Sequence, residues 1–388
     1  MNTFLSSGQL ALQEQYLKFV AEQIAPLAMP LDTEQVSSKE ALSLLAKGGY
    51  LGLTVPREYG GQGLGALELT LFAEALATAS AGLSLALASH YSVIELINKF
   101  GSDTQKSRYL SQMASGDLIG AQAFCEEMAG SDFKAVQTTA KGDSASGWQL
   151  NGEKTWVVNG QLAGLIAVLA KVKSSSDSAP AADSELAIFL VDGSPSTSIE
   201  VGANRAKFGL RSASTCDLTF REYKATSEHK LASATSAELE KQVNAVLDLS
   251  KTVVAAAAVG IAEEALKFSA EHARTREQFG QPISKFQGIQ WKLADHSVES
   301  QAARLLTYRA AWSHDEEPAD FRKFAAMAKL FATKVARVHS GEAVQIFGML
   351  GASPDSPVER LYRDGKLTEV FEGTSELQKV VLKEELGV

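Results

Sequence analysis

The sequence reads Arg-Asp-Gly-Lys-Leu-Thr-Glu-Val-Phe-Glu-Gly-Thr-Ser-Glu-Leu-Gln from residue 363 to residue 378. Ser375 and Gln378 have the Ser-x-x-Gln spacing of a capping box, and apolar residues follow at helical intervals, so a helix is predicted to begin near Ser375. Glu372 then lies just outside that helix, between an aromatic residue and a glycine. Such a position presents a carboxylate to a cleft, where it can act as a general base.

The local pattern around Glu372 also has a second interpretation. A carboxylate just before a helix is stabilised by the positive end of the helix dipole, so Glu372 also fits an ordinary surface acid. The segment alone leaves both interpretations open, and other parts of the chain have to decide between them.

Length and composition are those of a soluble globular protein with more than one domain. The chain has 388 residues, of which 45% are hydrophobic and 21% are charged, and this length predicts two or three packed units. No apolar run approaches the length of a membrane span, and the N-terminal residues lack the basic and apolar segments of a secretory signal. We therefore expect a cytoplasmic protein without a membrane partner.

Charge and cysteine content argue against two further classes of protein. A net charge of −9 gives no electrostatic footprint for nucleic acid. The two cysteines, Cys125 and Cys216, are far apart and belong to no Cys-x-x-Cys or Cys/His cluster. Neither a disulfide framework nor a metal site is predicted.

Residues 1–121 are predicted to form an α-helical domain, because alanine- and leucine-rich segments alternate there with prolines and a glycine-rich loop. Asp103 is the predicted N-cap of a helix that Gly116 ends. Residues 61–66 match a dinucleotide-binding pattern, but the long flanking strand and the ribose-binding acid of that motif are missing. A plain loop is therefore predicted at this position.

Residues 122–234 are predicted to form a β-rich domain. Asn151-Gly152 is the predicted turn of a hairpin, because strand-forming tryptophans and valines flank it on both sides. Further strands are predicted at two apolar runs, which cover residues 165–169 and 186–191, and at a strand-like segment around residues 217–220. The polar segment 174–183 is predicted to be an exposed connection between two strands.

Residues 235–388 are predicted to form a helical bundle, because two apolar stripes repeat at helical spacing and need each other for burial. The stripes consist of Phe324, Ala328, Phe331, Val335 and Val338, and of Phe286, Ile289, Leu293 and His296. The aromatic residues and His296 are predicted to be core residues rather than ligands. The fold class is thus α+β, with a helical N-terminal domain, a β-barrel-like middle domain and a C-terminal four-helix bundle.

The segment around Glu372 resembles the C-terminal signature of the acyl-CoA dehydrogenase family, in which a glutamate takes a proton from the substrate. Four other segments resemble signatures of the same family, and they cover residues 125–132, 151–160, 274–287 and 345–348. Together these matches extend over essentially the whole chain. The resemblance implies the order of a helical, a β-rich and a helical domain, and it implies FAD as the cofactor.

The resemblance also assigns cofactor contacts. Small residues in the loop 125–132 let backbone N–H groups approach the FAD pyrophosphate, although an ordinary glycine–serine turn is the alternative. Trp156 matches a tryptophan beside the isoalloxazine ring. Arg276, whose planar fork suits a phosphate, matches a residue that reaches the FAD of a neighbouring subunit. The implied cofactor-binding residues are Cys125, Gly130, Ser131, Trp156, Val158, Arg276, Gln278, Phe279, Gln287, Gln345, Gly348, Met349, Thr374 and Glu376.

Substrate contacts and the base are implied in the same way. The implied substrate-binding residues are Ser131, Asp248, Lys251 and Gly373. Asp248 and Lys251 also fit a solvated ion pair on a helix. Some family members carry their base at the position that matches Ser250, which cannot do this work, so Glu372 is the implied base. Residues 84–93 are expected to line the pocket.

The implied reaction is the α,β-dehydrogenation of an acyl-CoA thioester, with Glu372 removing the α-proton and flavin N5 accepting the β-hydride. An acyl-carrier-protein-linked flavin oxidase of a biosynthetic pathway would share every motif, and a non-catalytic flavoprotein of the same fold is a further alternative. Cys125, Val158 and Met349 depart from the family's usual residues, and at Val158 a hydroxyl that meets flavin N5 is lost. The resemblance also implies a homotetramer and an electron-transfer flavoprotein as the electron acceptor.

Overall fold

The structure, a computed structural model, describes residues 5–34, 37–173, 185–232 and 235–387. The helices in this part of the chain are α1 (Ser7–Phe19), α2 (Ala28–Asp32), α3 (Ser38–Lys47), α4 (Ala66–Phe100), α5 (Asp103–Ser115), α6 (Ser236–Thr275), α7 (Gln287–Glu316), α8 (Pro318–Phe347), α9 (Pro357–Thr368) and α10 (Ser375–Glu385). The strands are β1 (Gly120–Ala123), β2 (Thr139–Asp143), β3 (Gly147–Val158), β4 (Leu165–Lys173), β5 (Leu186–Asp192), β6 (Ile199–Val201), β7 (Thr215–Ala225), β8 (Glu277–Gln278) and β9 (Gln281–Pro282). The order of helices, strands and helices is as predicted. The predicted limits between the domains remain predictions, and the polar segment 174–183 lies outside the described residues.

The N-terminal part is helical as predicted, but one helix begins with a different cap. Ser102, not Asp103, is the N-cap of α5. The Gln105 N–H donates to the Ser102 hydroxyl at 3.2 Å, and the Ser102 N–H donates to the Gln105 side chain at 2.9 Å. Ser102 is the cap because this reciprocal pair of hydrogen bonds satisfies two backbone donors at once. Gly116 ends the helix in the left-handed conformation, and residues 61–65 form the predicted loop before α4.

The middle part is a seven-stranded sheet in the order β1-β4-β2-β3-β7-β6, with β5 also paired to β4. β4 pairs in parallel with β1 and β2 and antiparallel with β5. Its side chains alternate between two environments, as expected for a strand. Ile166 and Val168 belong to the core of the half-barrel, whereas Leu165, Ala167 and Leu169 pack with the helices. The sheet is therefore buried on both faces, and one face rests on the helical domains.

The predicted hairpin turn at Asn151-Gly152 is wrong, because β3 runs straight through it. The turn between β2 and β3 follows Asp143, whose carboxylate accepts the N–H groups of Ala145 and Ser146 at 2.9 and 2.8 Å. Gly152 lies at a shift in the register between β3 and β7, with a φ of 150°. The Asn-Gly pair thus marks a β-bulge inside a long strand, which glycine also favours.

The C-terminal part is a bundle in which α6 packs against α8, and α6 also packs along α4 of the N-terminal part. The two central helices approach closely. A Cβ atom added at Gly260 of α6 would lie 2.4 Å from the carbonyl oxygen of Glu74 in α4. Further along the same contact, the hydroxyls of Ser92 and Ser250 are 3.1 Å apart. This contact joins the first and third parts of the chain into one core.

The two predicted stripes lie on α7 and α8. In α8, Ala328 and Val335 are buried, while Phe324 and Phe331 are half-buried and pack at the edge of the core. His296 of α7 is buried as predicted, and its Nε2 atom lies 2.8 Å from a backbone carbonyl oxygen of α6. Its role as a bundle residue is therefore confirmed.

Two helices are long and apolar enough to cross a membrane, against the prediction that no apolar run has that length. They are α4 and Ala237–Thr275 of α6, and 94% and 89% of the residues in their most apolar windows are buried inside the structure. A helix that is apolar all round is typical of the centre of a large packed domain as well as of a membrane. In this fold the apolar surface of both helices is covered by protein.

Candidate active site

Glu372 lies in a short turn between α9 and α10. The predicted start of α10 at Ser375 is confirmed, but the predicted capping box of Ser375 and Gln378 is wrong. Thr374 is the N-cap, and its hydroxyl accepts a hydrogen bond from the Leu377 N–H at 3.3 Å. The threonine takes this role because it is the residue with extended backbone just before the first helical residue.

The turn that carries Glu372 is left-handed. Glu372 has a φ of 54° and Gly373 a φ of 86°. For a residue other than glycine this conformation costs roughly 1–2 kcal/mol, so surrounding contacts have to hold Glu372 in place. One such contact comes from Gln378, whose buried side-chain amide donates to the Gly373 carbonyl at 3.0 Å.

The turn forms part of the wall of a cavity of about 760 Å³. Cofactors and small ligands usually occupy cavities of about 300–1,000 Å³. The lining comes from all three parts of the chain and consists of Ser89, Gln122, Phe124, Cys125, Glu126, Glu127, Gly130, Ser131, Phe133, Thr155, Trp156, Val158, Arg205, Ala206, Lys207, Phe208, Leu247, Lys251, Leu367, Val370, Phe371, Glu372, Gly373, Thr374 and Leu377. The predicted site residues in this lining are Cys125, Gly130, Ser131, Trp156, Val158, Lys251, Glu372, Gly373 and Thr374. The lining includes Ser89 but no other residue of the predicted stretch 84–93.

Burial raises the pKa of the Glu372 carboxyl, because its charged form loses contact with water. A hydrogen bond with Ser250 and the positive charges of Lys329 and Lys251 act in the opposite direction. Ser250 is also bonded to Ser92, so the carboxylate is connected to the contact between α4 and α6. A carboxyl group with a raised pKa in a cavity wall is suited to accept a proton from a bound ligand.

Asp248 and Lys251 form a buried ion pair on α6, not the solvated pair that the sequence also allowed. Lys251 Nζ lies 2.7 Å from Asp248 Oδ1, and the two side chains are only 4% and 5% exposed. Lys251 lines the cavity, whereas Asp248 lies outside the described lining. Asp248 therefore compensates a charge that would be costly to bury alone.

The loop 125–132 is held in place by Glu126. Its buried carboxylate accepts hydrogen bonds from the N–H groups of Gln137 at 2.5 Å and Thr138 at 3.0 Å, and it pairs with Lys154 at 2.7 Å. The Lys154 side chain is fully buried. This clamp ties the loop to β3 and leaves its small residues on the cavity wall, where their backbone N–H groups suit an anion.

Trp156 provides a rigid aromatic surface in the lining. Its side chain is 44% exposed, and the guanidinium carbon of Arg205 lies 4.6 Å from the ring centre. Arg205 is fixed by two hydrogen bonds to the Asp217 carboxylate, at 2.8 and 2.7 Å. A cation held against the ring keeps the indole in one orientation, as a stacking wall for a planar ligand requires.

A polar acceptor without a partner belongs to Gln122, a residue of the cavity lining. The Ser89 hydroxyl donates to the Val158 carbonyl at 3.1 Å and accepts from the Gln122 N–H at 3.1 Å. Gln122 Oε1 is buried and has no hydrogen-bond partner within the described part of the chain. Because buried polar atoms are normally paired, this acceptor points to a donor on a ligand.

A second group of predicted cofactor residues lies away from this cavity. Its members are exposed at the end of α6, the start of α7 and the end of α8, and they are Arg276, Gln278, Phe279, Gln287, Gln345, Gly348 and Met349. Phe279 and Met349 are 93% and 88% exposed. None of them, nor the exposed Glu376, belongs to the described lining of the cavity. One chain therefore brings the predicted cofactor residues together in two separate groups.

The structure also adds residues that the sequence patterns did not single out. Arg205 and Lys207 place two cations on the cavity wall, and burial lowers the pKa of Lys207 to about 8. Lys329 is fully buried in α8, beneath the turn that carries Glu372. The burial of Lys329 could have been predicted from the sequence, because Lys329 lies at helical spacing from Ala325 and Ala332, which are both buried. The two loop cations have no such periodic signal.

The thiols of the chain are both free. Desolvation and the negative charge of Glu372 raise the pKa of Cys125 to about 11, so its thiol stays protonated at neutral pH. Within residues 5–34, 37–173, 185–232 and 235–387, no group of three or more His, Cys, Asp or Glu side chains could hold a metal ion.

A helical domain, a half-barrel sheet and a helical bundle that share one cavity define the acyl-CoA dehydrogenase fold. Three family models match the chain: the acyl-CoA dehydrogenase N-terminal domain at residues 6–117, the middle domain at 121–223 and the C-terminal domain at 241–387. The chain belongs to the acyl-CoA dehydrogenase family. The predicted family, fold class and class of oxidoreductase are thereby confirmed, whereas the roles of individual residues remain predictions.

Individual relatives are similar over nearly their whole length. The short-chain specific acyl-CoA dehydrogenase of mouse mitochondria is 34% identical over 98% of this chain and 92% of its own. The structure of butyryl-CoA dehydrogenase from Megasphaera elsdenii has a TM-score of 0.92 and 32% identity, and the match covers all of both chains. A prolyl acyl carrier protein oxidase has a TM-score of 0.91 and 27% identity, and the match covers 99% of this chain and all of the other.

Replacing Glu126 by glutamine should leave Lys154 buried without its ion partner. We expect the free energy of unfolding to fall by roughly 3–5 kcal/mol, as for other broken buried pairs. Denaturant unfolding followed by tryptophan fluorescence measures this change. Glu127→Gln removes the same charge from the exposed neighbouring residue and should change the free energy by less than about 0.5 kcal/mol. Equal losses in the two variants would contradict the clamp.

Proposed function

We propose that this chain is an FAD-dependent dehydrogenase of short acyl-CoA thioesters, with Glu372 as the base that removes the α-proton. The observation that carries the proposal is the Glu372 carboxyl, which lies in the cavity wall with its pKa raised by burial. Membership of the family supports the type of reaction. The short-chain and butyryl-CoA names of the relatives support a short acyl group.

The residues of the cavity fit FAD. The loop 125–132 offers backbone N–H groups and the Ser131 hydroxyl to a pyrophosphate. Trp156 offers a flat wall to a planar ring, and the unpaired Gln122 Oε1 offers an acceptor to the N–H of a flavin ring. When bound, FAD supplies the acceptor for the hydride that leaves the β-carbon.

The protein's own part in the reaction is to place and tune an acid–base group. Since burial raises the pKa of Glu372, its carboxylate is a stronger base than a solvated glutamate. Ser250, Lys251 and Lys329 act against this rise, because each of them favours the ionised form of the carboxyl. The backbone N–H of Glu372 is the proposed donor to the thioester carbonyl, where charge develops as the α-proton leaves.

Glu372→Gln should bind FAD normally but lose the base. With butyryl-CoA under anaerobic conditions, the wild type should bleach the flavin absorbance rapidly, and a longer acyl-CoA should do so more slowly. The variant should bleach about 10²–10⁴-fold more slowly, which is the usual contribution of a general base. Stopped-flow absorbance measures both rates.

The control for this experiment is Glu384→Gln, which removes an exposed carboxylate from α10 and breaks only a surface ion pair with Arg322. This variant should bleach like the wild type. If Glu372→Gln also bleached at the wild-type rate, Glu372 would have no part in the mechanism.

A flavin oxidase acting on a carrier-protein thioester is the second candidate, and the similarity to the prolyl acyl carrier protein oxidase favours it. Anaerobic reduction by substrate, followed by admission of air, separates the two candidates. A dehydrogenase should reoxidise slowly in air and pass its electrons to an electron-transfer flavoprotein, whereas an oxidase should reoxidise rapidly and form peroxide. A colourless protein that cannot take up FAD would instead indicate a non-catalytic member of the family.

We also propose that the protein is a homotetramer in which a neighbouring subunit completes each FAD site. The exposed group around Arg276 and Met349 lies outside the cavity of its own chain, so it is available to the cofactor of another subunit. The outer face of α7 carries an apolar stripe at heptad spacing, which a second copy would bury. The stripe consists of Trp291, Val298, Leu305 and Trp312.

Mixing two inactive variants tests this arrangement. If Arg276 serves the neighbouring site, Arg276→Ala and Glu372→Gln chains refolded together should form mixed pairs in which one site has both native residues. About one quarter of the wild-type bleaching activity should return for random mixing in two-fold symmetric pairs. The same variants mixed after refolding, without exchange of subunits, are the control. Failure of the co-refolded sample to exceed that control would contradict the shared site.

A further inference from the structure

Lys329 is a fully buried lysine at the centre of α8. It lies on the inner face of the helix, in line with the buried Ala325, Ala332 and Ala336. A lysine is rarely enclosed in this way, because its ammonium group loses the water that solvates it. Its position beneath the active-site turn therefore calls for a reason that an apolar residue could not supply.

The contacts of Lys329 bracket the turn that carries Glu372. Its Nζ donates to the carbonyl oxygen of Glu369 at 2.9 Å, before Glu372, and to that of Gly373 at 2.5 Å, after it. Gln378 adds a hydrogen bond to the same Gly373 carbonyl at 3.0 Å. One ammonium group thus fixes both ends of the left-handed segment.

The charge of Lys329 also acts on Glu372. The lysine faces the carboxylates of Glu372, Glu369 and Glu376, and it faces the ammonium of Lys251. Burial lowers the pKa of Lys329 to about 7, although the nearby carboxylates oppose the shift. The influence is mutual, since Lys329 opposes the rise that burial causes in the pKa of Glu372.

We propose that Lys329 is a positioning residue for the reaction: its ammonium group holds the left-handed turn and stabilises the negative charge of Glu372 in the cavity wall. The inference rests on the proposed function, because it assigns Lys329 a role that acts through the proposed base. Of the two lysines near Glu372, Lys251 is already compensated by Asp248 at 2.7 Å. Lys329 has no such carboxylate partner at hydrogen-bond distance in the described part of the chain, and its Nζ donates to two neutral carbonyls.

The sign of the effect on Glu372 follows from the charges. Without the ammonium group, the ionised form of Glu372 loses a favourable neighbour, so its pKa rises further above the ordinary value. The acid limb of the rate profile, where activity falls as Glu372 gains a proton, should therefore move to higher pH. A displacement of about one pH unit corresponds to a tenfold lower bleaching rate on that limb.

The test compares Lys329→Met, Lys329→Gln and the control Lys334→Met, which removes an exposed lysine from the same helix. The bleaching rate with butyryl-CoA is measured from about pH 5.5 to about pH 9, a range that includes neutrality. FAD content and the unfolding midpoint are measured on the same samples. Lys329→Gln keeps a donor for one carbonyl but not the charge, so it should fold better than Lys329→Met and still displace the acid limb. Lys334→Met should leave the limb in place. An unmoved limb in folded, FAD-loaded Lys329 variants would overturn the proposal.

A measurement on the wild-type holoenzyme keeps the inference testable if both Lys329 variants fail to fold. The stabilisation of the two charges is mutual, so Glu372→Gln should lower the pKa of the Lys329 ammonium. NMR of the holoenzyme labelled with isotopic lysine measures this change, as a loss of the Lys329 ammonium at lower pH in Glu372→Gln than in the wild type. Identical titration of Lys329 in the two proteins would overturn the proposal. The outcome is separate from the proposed function. Even if none of the acyl-CoA thioesters bleached the flavin, this measurement would still show whether Lys329 and Glu372 are coupled.

Discussion

The close packing of α4 against α6 is the constraint on which the rest of the structure depends. Small residues make it possible, since a side chain at Gly260 would collide with the backbone of α4. The approach brings Ser92 within hydrogen-bond distance of Ser250, and Ser250 in turn supports Glu372. On the same helix α4, the Ser89 hydroxyl binds backbone groups of two strands and so seats the sheet on the helices. The cavity lies where these three parts meet, and a looser contact between the two helices would displace its walls relative to one another.

Two of the buried cations in the site are each paired with a carboxylate. The loop that faces the cavity is fixed by Glu126 and the enclosed Lys154, and the α6 wall is fixed by Lys251 and Asp248. Each pair removes a charge from water but leaves it compensated, which a single buried ion would not be. Glu372 differs, because burial outweighs the favourable groups around it and its pKa remains raised. This excess of burial suits the carboxyl to the proposed role of proton acceptor, which a structural ion pair would not fit.

Much of the fold could be predicted because the helices and strands follow simple periodicities. The stripes of α7 and α8, the helical N-terminal part and the β-rich middle part all depend on burial over many residues. Such a pattern still predicts the right element when single positions depart from it. Local turn signals were less reliable. The Asn151-Gly152 pair looked like a hairpin, but the long pairing of β3 with its neighbours absorbs the glycine as a bulge. The N-cap of α10 lies one residue before the predicted position, because the Thr374 side chain takes the backbone donor at the start of the helix.

The candidate site was predictable only where a continuous segment carries it. Glu372 and the loop 125–132 belong to such segments, and the structure brings them to one cavity. Gln122 and Arg205 reach the cavity through tertiary packing, so no spacing in the sequence marks them. The family resemblance also assigned cofactor contacts to residues outside this cavity, among them Arg276, which matches a residue that reaches the FAD of a neighbouring subunit.

A crystal structure of the protein with FAD and an unreactive acyl-CoA thioether tests the central claim most directly. The account predicts that the flavin ring lies in the cavity beside Trp156 and that the acyl chain lies between the ring and the Glu372 carboxylate. A ring bound outside this cavity, or a carboxylate separated from the acyl chain by other side chains, would contradict it.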